Sequence, residues 1–286
     1  MPTQNDAGAP ADPGRLPAID CWVNVHMGDF APPDHLVRVK EDYLHGDQSF
    51  FRSFTPEEML DVMDEHGISR AIVSWSGEGN PRSRDFVERH PDRFALSVGV
   101  NPTKMMPEVW RLESLVRDLP VVMARVIPFD IQVAPSDAVY YPLYAKCVEL
   151  DLPLSINTGL PGPPVPGDCQ DPMHLDRVCF RFPDLKLCMA HGADPWWGLA
   201  IRLMIKYRNL HLMTSAWSPR RLPEELLHFM RTRGQDKVLW ASDHPALTIQ
   251  RTLPHARALD LPPDVLAKYL SGNAERLFFS PRAPRY

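Results

Sequence analysis

Nothing in this sequence runs apolar for the roughly 18 residues that a membrane-spanning helix needs, so no such helix and no membrane partner is expected. Basic residues show no excess: 31 Lys and Arg stand against 36 Asp and Glu, without long runs, which counts against a nucleic-acid footprint. Cysteine is sparse, five residues with no Cys-x-x-Cys pair, which excludes a disulfide framework or a zinc knuckle and leaves reduced, buried thiols as the expectation. The polar, Pro- and Gly-containing residues 1–15 lack the basic start and apolar stretch of a signal peptide, so a disordered N-terminal segment and a cytoplasmic protein are expected. No Gly-x-Gly-x-x-Gly turn follows any apolar run, which counts against a doubly wound dinucleotide-binding sheet.

What the sequence does have is a regular alternation. Hydrophobic residues make up 44% of its 286 residues and charged residues 23%, enough for one substantial core, placed here at 16–280 with a tail at 281–286. Eight short apolar, β-branched runs read as buried strands: Ala18–Asn24, Arg70–Trp75, Phe94–Val100, Val121–Ile127, Leu154–Gly159, Leu185–His191, Leu210–Ala216 and Val238–Asp243. Thr55-Pro56-Glu57-Glu58 announces a capped helix ending at Gly67, and Pro223-Glu224-Glu225 starts another that stops by Gly234. Tyr140–Leu150, Pro195–Arg208 and Pro263–Phe279 carry further helical patterns, while the third-to-fourth connection and residues 128–139 and 160–173 read as loops. Eight strands with helices between them predict an α/β fold, a single-domain (β/α)8 TIM barrel.

Polar residues recur at the C-terminal ends of these runs: Asn24, Arg125, Asn157 with Thr158, His191, Thr214 with Ser215, and Asp243 with His244. In a barrel those ends converge on one mouth, where active sites are built, so they read as one site. The stiff stretch Gly159-Leu-Pro-Gly-Pro-Pro-Val-Pro-Gly167 follows the fifth run and lies at the same mouth. His191 beside Asp243 is expected to be a carboxylate-oriented proton donor and acceptor with a raised imidazole pKa. Arg125 is suited to a substrate carboxylate and Asn157 to a carbonyl or carboxylate. Trp196, with Trp197, would form an aromatic wall.

Several motifs, in order, carry a resemblance. They are Ile19-Asp20, Met63-Asp64-Glu65-His66-Gly67-Ile68, His90-Pro91-Asp92-Arg93-Phe94, Ala190-His191-Gly192, Ala241-Ser242-Asp243-His244-Pro245 and Gly272-Asn273-Ala274-Glu275-Arg276-Leu277-Phe278. From about Ile19 to Phe278 the chain resembles the amidohydrolase superfamily, in the amidohydrolase family 2 branch that contains aminocarboxymuconate-semialdehyde decarboxylase. In metal-dependent members the first strand ends in Asp-x-His-x-His, the fifth supplies a histidine, and the eighth an aspartate; the sixth-strand histidine is a ligand or moves a proton. Here the first pair falls on Trp22 and Asn24 and the fifth-strand histidine on Asn157; His191 and Asp243 match. Two ligands hold zinc poorly, and an indole at position 22 fills the ion's volume. The resemblance therefore points to a subgroup lacking the first-strand histidines, with a degenerate metal site and no cofactor. The alternative is zinc on His191, Asp243 and a shifted ligand, His26 or His174.

The resemblance implies a metal-independent enzyme that hydrolyses, or cleaves a carbon–carbon bond in, a small carboxylated, unsaturated or cyclic metabolite. His191 and Asp243 would move the proton. Arg125, Asn157, Asn24, Trp22, Trp196, Ser215 and Arg52, the last where related decarboxylases place a substrate-binding arginine, would bind the substrate. An inactive barrel serving as a binding or partner subunit, and a metal-dependent hydrolase with shifted ligands, are the other readings. The expected partner is a small-molecule substrate, with a homo-oligomer or a hetero-oligomer with a related barrel left open.

Overall fold

The apolar runs form strands that are covered on both sides, by helices outside and by one another inside, which is why they show little polar alternation. They are β1 (Ala18–Val23), β2 (Ile68–Ser74), β3 (Phe94–Gly99), β4 (Val121–Val126), β5 (Leu154–Asn157), β6 (Leu187–Ala190), β7 (Leu210–Met213) and β8 (Val238–Leu239), paired in parallel in that order. This computed structural model describes residues 16–284; the segment 1–15, expected to be disordered, and the last two residues of the expected tail lie outside the described residues. The stretch after β8 returns to β1: Val23 bridges His244 in parallel, Asn24 N–H donates to His244 O at 2.7 Å, and Asp243 N–H donates to Trp22 O at 3.1 Å. The sheet thus closes on itself as the predicted (β/α)8 barrel.

A buried carboxyl ties this seam together. Asp20 Oδ1 accepts from Ser242 N–H at 2.9 Å and from Trp22 N–H at 3.2 Å, and Oδ2 accepts from Ser242 Oγ at 2.5 Å. Burial nevertheless pushes the Asp20 pKa up to about 6, against those three bonds.

Inside the barrel, alternation decides what reaches the mouth. Met123, Cys188, Ala190, Leu239 and Ala241 fill the lumen, with Leu277 and Phe278 of the C-terminal segment packed against them. Two residues beyond Met123, Ser155 and Ala241 come Arg125, Asn157 and Asp243, each on the lumen side at the open end. In β1 the register slips between Asp20 and Val23, so Cys21 and Trp22 both pack with the lumen cluster and Trp22 and Asn24 reach the mouth.

Helices form where capping chemistry announced them. Thr55 accepts from Glu58 N–H and the Glu58 side chain reaches back to Thr55 N–H, a capping box on the helix Pro56–His66, which ends at Gly67 with φ 68°. Tyr141–Glu149, Trp197–Lys206 and Glu224–Arg231 also match their predicted positions. The expected Pro263–Phe279 helix is α-helical over Pro263–Ala267 and continues in wider turns. The third-to-fourth connection is not a loop but the helix Met106–Asp118; Val109, Leu112 and Leu115 line its buried stripe, and Pro107 sits in its first turn, where proline is tolerated. Residues 128–139 likewise include one helical turn, Pro128–Ile131. Among the described residues no helix is long and apolar enough to cross a membrane.

Candidate active site

The predicted strands overran their true ends, and the reason is local. The chain turns into the left-handed region at Gly159 (φ 85°), His191 (φ 64°), Ala216 (φ 60°) and Asp243 (φ 71°), just past β5, β6, β7 and beyond β8. For non-glycine residues that conformation costs about 1–2 kcal/mol each, and such strain gathers at functional sites. The turns break the ladders early and aim His191 and Asp243 into one cavity of about 330 Å3.

Trp22, Asn24, Arg125, Asn157, Thr158, His191 and Asp243 all line this cavity. Asn24 is locked rather than free for substrate: its Oδ1 accepts from Ser74 Oγ at 2.7 Å, which turns Nδ2 to donate to Asp243 Oδ1 at 2.9 Å. Burial pushes the Asp243 carboxyl up to about 7, although Asn24 and the Arg125 charge both favour its ionised form. Arg125 lies 4.6 Å above the Trp22 ring, and its buried Nε has no hydrogen-bond partner. Burial brings its pKa down to about 10, so it remains a cation at neutral pH. Asn157 Oδ1 and Gln170 Oε1 are buried acceptors, also without partners, in the same cavity.

The pairing of His191 with Asp243 is corrected. His191 Nδ1 meets Ser215 Oγ at 2.8 Å, while the same hydroxyl accepts from the His191 backbone N–H at 3.2 Å. A serine hydroxyl has one O–H and two acceptor lone pairs, so with one lone pair taken by the backbone N–H it pairs with Nδ1 of either ring tautomer and fixes the ring's orientation rather than its proton. Burial and the Arg125 charge lower the His191 pKa to about 4 rather than raising it. Trp22 packs edge-on against this ring, with centroids 4.7 Å apart, and Trp217 Nε1 donates to His191 O at 2.8 Å.

Ser215 therefore orients His191 from behind and does not line the cavity. Trp196 does not reach it either; it is the residue before the helix Trp197–Lys206, and the tryptophans at the wall are Trp22 and Trp217, the latter braced by Trp197 at 5.2 Å. Arg52 faces solvent, paired with Glu58 and stacked on Phe54. His244 is buried against Phe54 at 4.8 Å, on the side away from the cavity. His26 lines the cavity, its pKa lowered to about 4 by burial and by Arg125. His174 lies outside it, bonded to Ser136 Oγ and Asp168 O.

The sequence reading missed Trp217, Gln170 and the segment from Met27 to Phe50, which roofs the cavity with Leu36, Val39 and Leu44. The available signal was length: about 30 residues separate β1 from the helix Pro56–His66, where a βα connection takes roughly 2–6.

Residues 19–279 match the amidohydrolase family. No curated protein sequence matches the chain. An uncharacterized TIM-barrel protein from Bordetella bronchiseptica superposes with a TM-score of 0.75 at 23% identity, covering 92% of this chain and 98% of that one. A 5-carboxyvanillate decarboxylase from Sphingomonas paucimobilis gives 0.69 at 19% identity, covering 92% and 99%. A dihydroxybenzoic acid decarboxylase from Polaromonas sp. JS666, solved with bound manganese and 2-nitroresorcinol, gives 0.65 at 18% identity, covering 93% and 98%.

That last neighbour, a barrel of the same fold, is solved with bound manganese, which overturns absence of a metal as the expectation to draw from family resemblance. The side chains of this chain do not supply an obvious seat for one. Among the described residues no group of three His, Cys, Asp or Glu side chains converges, which also removes the zinc arrangement through His26 or His174. Where a ligand set would gather stand Trp22, the amides Asn24 and Asn157, and the Arg125 cation.

Proposed function

Because the chain belongs to the amidohydrolase family, and is an enzyme of that superfamily, we propose that it is a carbon–carbon lyase that decarboxylates a small carboxylated ring acid. The observation that carries this reading is the pair formed by Arg125, a buried cation with an unpartnered Nε, and Asp243, a carboxyl held near pKa 7 in the same cavity. One recruits an anion; the other is a proton donor at neutral pH. The decarboxylase neighbours lend support through their fold.

Arg125 would bind the substrate carboxylate, and Nε2 of His191 would hydrogen-bond a neighbouring ring hydroxyl, which can donate or accept. Asn157 Oδ1 and Gln170 Oε1 would accept from ring hydroxyls, which would satisfy acceptors that otherwise cost about 1–3 kcal/mol each. Neutral Asp243 would then protonate the ring carbon that carries the carboxylate. The bond from that carbon to the carboxylate breaks, its electron pair returns to the ring, and CO2 leaves. Water reprotonates Asp243. Asn24, fixed by Ser74, positions the donor. A cytoplasmic setting belongs to the same proposal and accords with five free, buried cysteines.

The test is CO2 release from a panel of hydroxybenzoates and methoxyhydroxybenzoates, with product identified by mass spectrometry. Wild-type turnover that disappears in Asp243→Asn, while substrate binding persists, is the expected result. Undiminished turnover in Asp243→Asn would overturn the assignment.

A further inference from the structure

The polar groups occupy only the inner end of the cavity. Its outer half is built from Met27, Leu36, Val39, Leu44 and Phe50 of the roof segment and from Leu160 of the proline-rich loop opposite. The two walls approach closely, since a β-carbon on Gly162 would stand 3.7 Å from Val39 Cγ2 and from the Tyr43 ring. Of the eight large hydrophobic side chains exposed among the described residues, three rim this one cavity: Phe30 (42% exposed), Tyr43 (61%) and Leu160 (58%). Scattered exposed apolar residues need no explanation, but three around one mouth, continuous with an apolar interior, mark a surface made to be covered.

The roof is pinned at its ends rather than along its length. Asp29 accepts from Arg82 Nε at 2.5 Å, Arg82 Nη2 at 2.6 Å, Asn80 Nδ2 at 2.8 Å and Ser53 Oγ at 2.6 Å, while His26 bridges Ser53. Between those anchors the short helix Asp34–Arg38 buries none of its residues. A small ring acid seated on Arg125 would leave this outer half unfilled.

We propose that the substrate is an amphiphilic acid: a carboxylated head at Arg125 joined to an apolar chain or second ring that lies between the roof segment and the proline-rich loop. This rests on the proposed reading of the inner end and adds the specificity of the outer one.

Calorimetric titration of the intact protein with benzoate, 4-pentylbenzoate and 1-octanol tests it. The expected result is that 4-pentylbenzoate binds at least about tenfold tighter than benzoate, the gain from burying two or three methylenes. Octanol, which has no charge for Arg125, binds more weakly than 4-pentylbenzoate. Leu36→Asp, at a half-buried roof position, narrows the ratio between the two benzoates. Equal binding of the two benzoates, both lost in Arg125→Met, would overturn the apolar subsite while sparing the carboxylate site. Octanol binding as tightly as 4-pentylbenzoate would overturn the joined head and tail, and no binding of either acid would overturn both readings.

Discussion

Arg125→Met separates function from stability at one position. Burial holds the guanidinium pKa at about 10, below its ordinary value, net of the attraction of Asp243 and Asp130. At about 1.4 kcal/mol per pKa unit the gap amounts to about 3 kcal/mol set against the folded state. The sign follows from linkage: a base whose folded pKa is depressed binds its proton less tightly when folded, so the penalty is present below about pH 10 and fades above it. Methionine keeps much of the length and the contact with the Trp22 face without the charge. Removing the cation does not strand a buried carboxylate, because Asp243, already near 7, shifts further up and stays protonated.

The substituted protein should therefore be more stable at pH 7 by about 1–3 kcal/mol, seen as a rise of roughly 2–5 °C in Tm by calorimetry. Carboxylate binding should weaken at least about a hundredfold, since a buried charge-assisted contact is worth about 3 kcal/mol or more. A fall in Tm would show that Arg125 is structural, and unchanged benzoate affinity would show that it is not the anion anchor. Either result refutes the reasoning.

The Asp243 pKa of about 7 predicts turnover that is high below that pH and declines as pH rises through it, and a pH–rate profile lacking this limb would remove Asp243 as the acid. Both Asp243 and Asp20 have folded values raised above the unfolded ones, so their stabilising contribution is complete below about pH 4 and is lost as pH rises through about 6 to 7; urea midpoints should fall over that range, and less steeply in Asp243→Asn. Asp20→Ala strands Ser242 N–H, Ser242 Oγ and Trp22 N–H at the barrel seam and should cost about 3 kcal/mol in urea unfolding, with Asp20→Asn costing less. Gly192→Ala puts a β-carbon 2.4 Å from Trp197 Cη2 and 2.8 Å from Trp217 Nε1 at φ 73°, so it should lower stability by about 2–4 kcal/mol and change the near-UV circular dichroism of the tryptophans.

The barrel was legible because its strands are buried on both faces and leave unbroken apolar runs, and the mouth was legible because polar residues terminate those runs. Arg125, Asn157 and Asp243 follow from simple alternation past Met123, Ser155 and Ala241. Trp22 and Asn24, two residues apart on β1, were placed at the mouth by the same alternation; the slip in β1 that also brings Cys21 to the lumen cluster is a backbone event that side-chain pattern does not encode. Left-handed turns at His191 and Asp243 escaped notice because neither residue type announces such a conformation as glycine does. The His191 partner was misread for a related reason: adjacency at a mouth does not say which neighbour faces which, and Ser215 rather than Asp243 holds the ring. The helix Met106–Asp118, read as loop, carries its buried stripe at Val109, Leu112 and Leu115, and Pro107 in its first turn is compatible with a helix. Arg52 was placed by resemblance and is diverted to Glu58 and Phe54; Trp196 was placed by its position at a predicted helix start, and the turn before that helix keeps it from the cavity.

The distribution of strain ties these observations together. The positive-φ residues that line the mouth, His191, Ala216 and Asp243, follow β6, β7 and β8, neighbouring strands of the barrel, while Trp22, Asn24 and Arg125 at or just past the ends of β1 and β4 have ordinary φ. An arc of sharp turns brings His191 and Asp243 inward over the lumen, so both face the Arg125 side of the mouth. The opposite arc can then spend its long β1 connection on a roof rather than on proton chemistry. A carboxyl held near neutrality and a cation kept from its ordinary solvation are both unfavourable to the folded state, as are three non-glycine residues at positive φ. The fold tolerates them together because the seam through Asp20 and Ser242, with the continuous strand packing behind it, fixes the backbone on which they stand. Loosening that seam should therefore harm the inner acid and cation before it unfolds the barrel, so Asp20→Asn should lose benzoate affinity at temperatures where its far-UV circular dichroism is still that of the wild type.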